Sequence, residues 1–258
     1  MALLSVSIGA KIDIFSNGGV PFARAMDTVN TGPLGVALHF GADVVHGNVQ
    51  DWHLEQIRPF LENPDSLGPL MAARYYGKVS RQRDLALWQH YRLEYGILEI
   101  SPGILSAEWM TFPGHRHKGP GRTPLAAVME VVHGEAGLYL QPPGSHRREA
   151  NIVWLRTGHR VFLPPGQAHA IINRGRSSLI VSEVHSSLTE ADFTEAAKHR
   201  GMAYYFGPTG ARPNPHYRDM VSLRKMTIDQ MATPDTSGED LYQAVTHHVD
   251  RFRFLHPF

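Results

Sequence analysis

Between Tyr95 and His185 the chain reads as eight short apolar runs cut by turns, and no other feature restricts its fold so sharply. YGILEI, AEWMTF, AVMEVV, GLYLQ, NIVWL, HRVFL, HAIIN and SLIVSEV all have strand composition. SPG, FPGHRHKGPGR, HGEA, PPGSHRREA, RTG, PPGQ and RGRS separate them, rich in residues that break regular structure. Strands this short, with no helical pattern between them, do not build a parallel βαβ sheet. They form an antiparallel sandwich or barrel, so the fold class is mainly β.

The flanks read differently. Residues 1–31 carry Gly9, Gly18, Gly19 and Pro21 without sustained periodicity and read as an N-terminal arm. Leu54, Ile57 and Leu61 recur at helical spacing over Asp51–Leu61, with Pro59 limiting that helix. After His185, Ser187-Leu188-Thr189-Glu190 has capping-box spacing, and Gly201 stands where a helix would stop. From Glu239 to Phe252, Leu241, Val245, Val249 and Phe252 share one helical face. The expected organisation is an arm (1–31), a β domain with an N-terminal strand and helix extension (32–195), and a C-terminal helical appendage (196–258).

Composition narrows the function classes. With 258 residues the chain exceeds a minimal barrel and falls short of two full domains. A formal net charge of +1 gives no basic excess, so neither nucleic acid nor an anionic membrane is an expected partner. The absence of cysteine excludes disulfides, thiolate metal sites and cysteine nucleophiles. No run approaches the ~18 apolar residues of a membrane span. The apolar start MALLSVSIGAKIDIF lacks a basic leader, and a cytoplasmic location is the expectation.

Chemistry then rests on histidine. His115 and His117, at i and i+2 on a strand, project to one face and can reach one metal from inside a barrel. With 16 histidines in the chain such a pair is weak evidence alone, since roughly one arises by chance. A third ligand lies in Gly158–Asn173, whose pattern is Gly, five residues, Pro-x-Gly, two residues, His169, three residues, Asn173. A turn at Pro164–Gly166 there delivers a strand whose first inward residue is His169.

That pattern fits the second cupin motif at every fixed position, and the chain resembles the cupin superfamily. Within it the order of GPLGVALHFG, ARYYGKV, YGILEISPGILSAEWMTFPGHRH, EVVHGEAGLYLQPPG and RVFLPPGQAHAIINRG is similar to cupin-type glucose-6-phosphate isomerase over roughly residues 32–195. The resemblance implies a jelly-roll barrel (a double-stranded β-helix) with one divalent metal ion, Fe²⁺, Mn²⁺ or Zn²⁺, on His115, His117 and His169. It also implies a small-molecule substrate, contacts from Thr111, Gly114 and Gln141, and a homodimer.

The chain departs from that family in two respects. The family's fourth ligand, a glutamate seven positions before Gly134, falls on Ala127 here; Glu130 is nearby but needs a bulge to face the same way. Positions where the family uses Thr, Tyr and His around the sugar phosphate are Leu98, Phe112, His185 and Ala191, and Thr111 is displaced by one. On the last strand Glu183 and His185 share a face with Leu179 and Val181. If that face is interior they form a catalytic acid/base pair, and if not they are surface residues. Glu183, His185 and Glu130 are thus the catalytic candidates. Trp109 is expected to line the pocket; His133, His146, His159, His247 and His248 read as solvated, and GPTGARPNPHYR as a loop.

The reading these residues favour is a metal-dependent aldose–ketose isomerase acting on a sugar or sugar phosphate. The alternative is a mononuclear non-haem iron dioxygenase with a three-histidine site, and the third is a metabolite-binding cupin without turnover.

Overall fold

The computed structural model describes residues 5–8, 12–16, 36–142, 149–217, 222–232 and 238–257. Two six-stranded sheets carry the architecture. Their strands are, in chain order, β1 (Val49–His53), β2 (Met71–Tyr76), β3 (Leu93–Ile100), β4 (Thr111–Lys118), β5 (Ala127–His133) and β6 (Glu135–Gln141). There follow β7 (Glu149–Arg156), β8 (Arg160–Leu163), β9 (Ala168–Asn173), β10 (Leu179–Ser186), β11 (Glu190–Asp192) and β12 (Ser222–Met226). One sheet has the order β11-β4-β9-β6-β7-β12 and the other β8-β5-β10-β3-β2-β1. Every neighbouring pair is antiparallel except β7 with β12. This is the cupin jelly roll that the motif implies, with the chain crossing between the sheets from β3 to β6 and again from β7 to β11.

Alternation sorts the side chains into three apolar layers. Between the sheets lie Leu98, Ile100, Phe112, Ala127, Met129, Val131, Leu138, Leu140, Leu163, Ile171 and Val181. Behind the second sheet, Tyr95, Ile97, Val128, Val132 and Val184 pack on Leu241, Tyr242, Val245 and Phe252. Behind the first, Tyr139, Ala170 and Ile172 pack on Met202, Ala203 and Phe206. Each fully buried side chain of this size contributes about 1.5–3 kcal/mol, so the C-terminal segment is an integral cover of both outer faces.

Several expectations change. The Asp51–Leu61 helix is preceded by β1, which runs to His53, and only Leu54–Ile57 is α-helical before a 3₁₀ turn at Arg58–Phe60. Part of the N-terminal arm is strand: Ser5–Ile8 and Ile12–Ser16 form an antiparallel sheet with Val36–Phe40 of the following segment. The capping-box segment at Ser187–Glu190 starts no helix; it leads into β11, and the helix is Thr194–Lys198. The C-terminal residues are less helical than expected, because β12 adds to the first sheet and Tyr204–Gly207 pairs with Gly210–Pro213 inside the supposed loop. The last amphipathic run is an α-helix over Leu241–His247 and a 3₁₀ stretch over Val249–Leu255, with Leu241, Val245 and Phe252 buried. No described helix is long and apolar enough to cross a membrane.

Candidate metal centre

The site forms where β4 and β9 pair. Their register runs Thr111↔Ile172, Phe112↔Ile171 and then His115↔His169, so β4 carries one extra residue between Phe112 and His115. That bulge resets the alternation, leaving Phe112, His115 and His117 all facing the interior. Gly166 takes φ +76° in the turn before β9, where Gln167 N–H donates to Pro164 O at 3.3 Å. A left-handed φ of this kind suits glycine, and the turn brings His169 directly opposite His115. The ring centroids of His169 lie 4.2 Å from His115 and 4.9 Å from His117.

The three histidines each offer a ring nitrogen within 4.8 Å of the others, and all three are buried. His115 Nδ1 lies 3.0 Å from Pro113 O and His169 Nδ1 3.5 Å from Gln167 O. A carbonyl only accepts, so both Nδ1 atoms carry the proton and both Nε2 lone pairs are free. His169 Nε2 is buried with no hydrogen-bond partner. Burial holds the His115 imidazole down at about 4 and pushes His117 and His169 well below the usual range, so all three are neutral at pH 7. Three neutral imidazoles, two of them oriented by a backbone carbonyl so that Nε2 keeps its lone pair, fit a divalent metal ion.

Glu183 and His185 lie on the interior face of β10. Glu183 Oε1 is at ion-pair distance from His117 Nε2, 3.2 Å, and is shielded from solvent with no hydrogen-bond partner among the described residues. Desolvation pushes its carboxyl up to about 7. It stands beside the histidine cluster, whose ligand atoms come from the three imidazoles alone. Across the sheet Glu183 pairs with Met129 and Gly96, and His185 pairs with Ala127 and Glu94. The carboxylate absent at Ala127 is therefore present one strand away.

Sequence reasoning missed the groups behind this pair. Tyr75 O–H lies 3.2 Å from His185 Nε2, and His185 Nδ1 lies 2.9 Å from Ser186 O. The carbonyl fixes the proton on Nδ1, so Nε2 accepts from Tyr75. Gly96 makes room for that ring, since a Cβ there would come within 2.1 Å of the Tyr75 oxygen. A glycine inside an otherwise clean strand pattern was the available signal. On the other side of the cluster, Phe193 and Phe112 have ring centroids 5.1 and 5.5 Å from His115, and Trp52 sits 5.2 Å from Phe112.

Other candidates are not brought here. Glu130 faces the opposite side of its sheet, where Oε2 accepts from Arg160 Nη2 at 2.6 Å and from Leu241 N–H at 2.7 Å. No bulge turns it inward, because β5 keeps regular register from Ala127 to Val131. Thr111 and Gly114 fall on the outer face through the β4 bulge. Thr111 Oγ1 donates to Trp109 O, and a Cβ on Gly114 would collide with Met202 at 2.4 Å. Gln141 also faces outward and accepts from Ala203 N–H at 3.0 Å. Trp109 packs on Trp154, away from the metal cluster. His133 is half-buried, not solvated, while His247 and His248 pair with Glu239. His146 lies outside the described residues.

Comparison with known proteins places the chain in a family. The model of the family described as glucose-6-phosphate isomerase (GPI) matches residues 71–221. Glucose-6-phosphate isomerase of Pyrococcus abyssi (strain GE5 / Orsay) is 24% identical over 180 residues, covering 66% of this chain and 87% of that protein. The enzyme of the same name from Thermococcus kodakarensis (strain ATCC BAA-918 / JCM 12380 / KOD1) is 26% identical over 111 residues, 43% of this chain and 55% of that protein. A relative from Rhizobium meliloti (strain 1021) is 26% identical over 120 residues, 46% of this chain and 57% of its own length. In two of these three the chain spans little more than half of the relative.

Proposed function

The chain belongs to the glucose-6-phosphate isomerase family, and we propose that it is a metal-dependent aldose–ketose isomerase with Glu183 as its proton carrier. One observation carries this reading: a shielded carboxylate oxygen, without a hydrogen-bond partner among the described residues, stands 3.2 Å from a metal-type histidine. A divalent metal on His115, His117 and His169 would polarise the sugar's carbonyl and neighbouring hydroxyl, acidifying the C–H between them.

The rest is work for the protein's own side chains. Glu183 takes the proton from C2 and returns it to C1 while the hydroxyl proton passes from O2 to O1, and its carboxyl, pushed up by burial to about 7, is balanced between the two states near neutrality. His185, with Nδ1 donating to Ser186 O and Nε2 accepting from Tyr75, holds that phenol on the Glu183 flank of the site. Phe112, Phe193 and Trp52 exclude water from the His115 side.

The test is an anaerobic assay of the protein loaded with Mn²⁺ or Zn²⁺. Aldose and ketose should interconvert without oxygen, and His169→Ala should abolish both metal uptake and turnover. Turnover that demands Fe²⁺ and consumes O₂ would show a dioxygenase instead, and a wild-type protein that takes up no metal would overturn the site.

A further inference from the structure

We infer that the outer face of the first sheet carries a second ligand site, a carboxylate-binding cleft built on Arg116; it stands apart from the histidine cluster and does not depend on the isomerase reading.

The cleft follows from one row of side chains across that sheet. Arg116 alternates with His115 and His117 on β4, so it lies on the face opposite the metal-type histidines. Its register partner on β11 is Asp192. On its other side the His115↔His169 pair brings Ala168 of β9 next to it, and Ala168 pairs with Gln141 of β6. The row therefore runs Asp192, Arg116, Ala168, Gln141. A single methyl group between two long polar side chains leaves a depression. Ala196 of the helix Thr194–Lys198, Met202 and Tyr217 wall it, and with the row they line one cleft.

Arg116 is half-buried, and its Nε and Nη2 are shielded from solvent with no hydrogen-bond partner among the described residues. These two N–H groups form the edge of the guanidinium that takes a carboxylate. Two other arginines on barrel strands show the same edge in use. Arg74 sets Nε and Nη2 on the two Asp51 oxygens at 2.5 and 2.8 Å. Arg160 sets the same pair on Glu130 Oε2 at 3.1 and 2.6 Å. The acids that border the Arg116 cleft are engaged elsewhere. Asp192 accepts from Thr194 N–H at 3.1 Å and lies 3.9 Å from Arg122, while Glu195 Oε1 lies 3.1 Å from His199 Nε2.

Shielded guanidinium N–H groups without acceptors are costly, and an incoming carboxylate removes that cost by accepting from both. Gln141 adds a donor at the far end of the row. Its Oε1 accepts from Ala203 N–H at 3.0 Å, and its Nε2 donates only over a long 3.4 Å to Tyr217 Oη, which leaves a further N–H for a ligand oxygen. Asp192 and Glu195 set the charge class. Beside two carboxylates the cleft accommodates one added negative charge better than two, which favours a monocarboxylate over a phosphate dianion.

The experiment titrates the full chain, loaded with Zn²⁺, with sodium acetate at constant ionic strength. The Arg116 Nε–H and the Gln141 side-chain amide are followed in ¹H–¹⁵N spectra, so that acetate at the metal is not mistaken for acetate in the cleft. Both resonances should shift saturably with a Kd of about 1–10 mM. Arg116→Lys keeps the charge and loses the fork; read at the Gln141 amide, it should bind acetate at least about 10-fold more weakly. In acetate-free buffer Arg116→Gln should match or exceed the wild type in urea midpoint, whereas Arg160→Gln should fall below it. No saturable shift in the wild type, or equal affinity in Arg116→Lys, overturns the site. A lower urea midpoint for Arg116→Gln also overturns it, since the guanidinium would then be paired within the fold. Tighter binding of inorganic phosphate than of acetate at the same resonances overturns the carboxylate class.

Discussion

Glu130 and Glu183 are carboxylates on neighbouring strands of one sheet, the first buried and the second half-buried with a shielded oxygen, and the structure treats them in opposite ways. Glu130 faces the C-terminal helix, where one oxygen accepts from Arg160 Nε at 3.1 Å, from its Nη2 at 2.6 Å and from Leu241 N–H at 2.7 Å. It seats the first turn of the helix Leu241–His247. Glu183 faces the metal-type histidines, and its Oε1 has no hydrogen-bond partner among the described residues. Taking a carboxylate out of water costs several kcal/mol unless it is paired. The paired residue recovers that cost within the fold. Glu183 has in its place a 3.2 Å contact with His117, itself a metal-type residue, and the proposed role as proton carrier rests on that position.

Removing the charge of each residue should therefore have opposite consequences, and the largest effect belongs to Glu183. Glu183→Gln keeps the volume and removes the base. We expect kcat/KM to fall about 10²–10⁴-fold, the usual worth of a positioned acid/base group. Metal content should be retained, and thermal stability should hold or rise, because a desolvated carboxylate is gone. Wild-type kcat/KM in this variant, measured on the metal-loaded protein, would break the contrast between the two residues.

Glu130→Gln tests the other half. It leaves the Arg160 guanidinium buried without its counter-charge, and breaking such a pair costs about 3–5 kcal/mol. Urea titration should show that loss, while molecules that remain folded keep their metal and their kcat. If activity falls more steeply than stability, Glu130 influences the chemistry through its sheet and the division between the two faces is less clean.

How far the sequence reveals this contrast depends on whether a feature is local. His115, His117 and His169 follow from two-residue alternation and one Pro-Gly turn, both readable in short windows. The inward face of Glu183 and His185 follows from the same alternation once Leu179 and Val181 are placed in the core. What escaped is set by partners far along the chain. Arg160 meets Glu130 through the register of β5 against β8, and Gln141 meets Ala203 across 62 residues. The extra residue between Phe112 and His115 shows only when β4 is laid against β9, and it alone moves Thr111 and Gly114 out of the site. Tyr75 is hidden for the same reason, since its place depends on Gly96 of the adjoining strand.

A third carboxylate, also buried, lies between these extremes and sharpens the comparison at its small end. Glu108 is 4% exposed, and its Oε1 accepts one hydrogen bond, from Glu62 N–H at 2.8 Å. Burial outweighs that bond and pushes the carboxyl up to about 7, with the nearby Glu62 charge adding to the rise and Arg212 opposing it. With the folded value above the unfolded one, the native state holds the extra proton between about pH 4.5 and 7. Stability contributed at Glu108 is therefore lost as pH rises through that window, the reverse of a salt-bridged carboxylate. Glu108→Gln removes the titration while keeping the acceptor for Glu62 N–H. Urea unfolding of both proteins at pH 4 and pH 8 should show near-equal stability in acid and a variant about 2 kcal/mol more stable at pH 8. A difference that does not change with pH would mean that one backbone hydrogen bond suffices to hold a buried carboxylate, and that Glu108 belongs with Glu130.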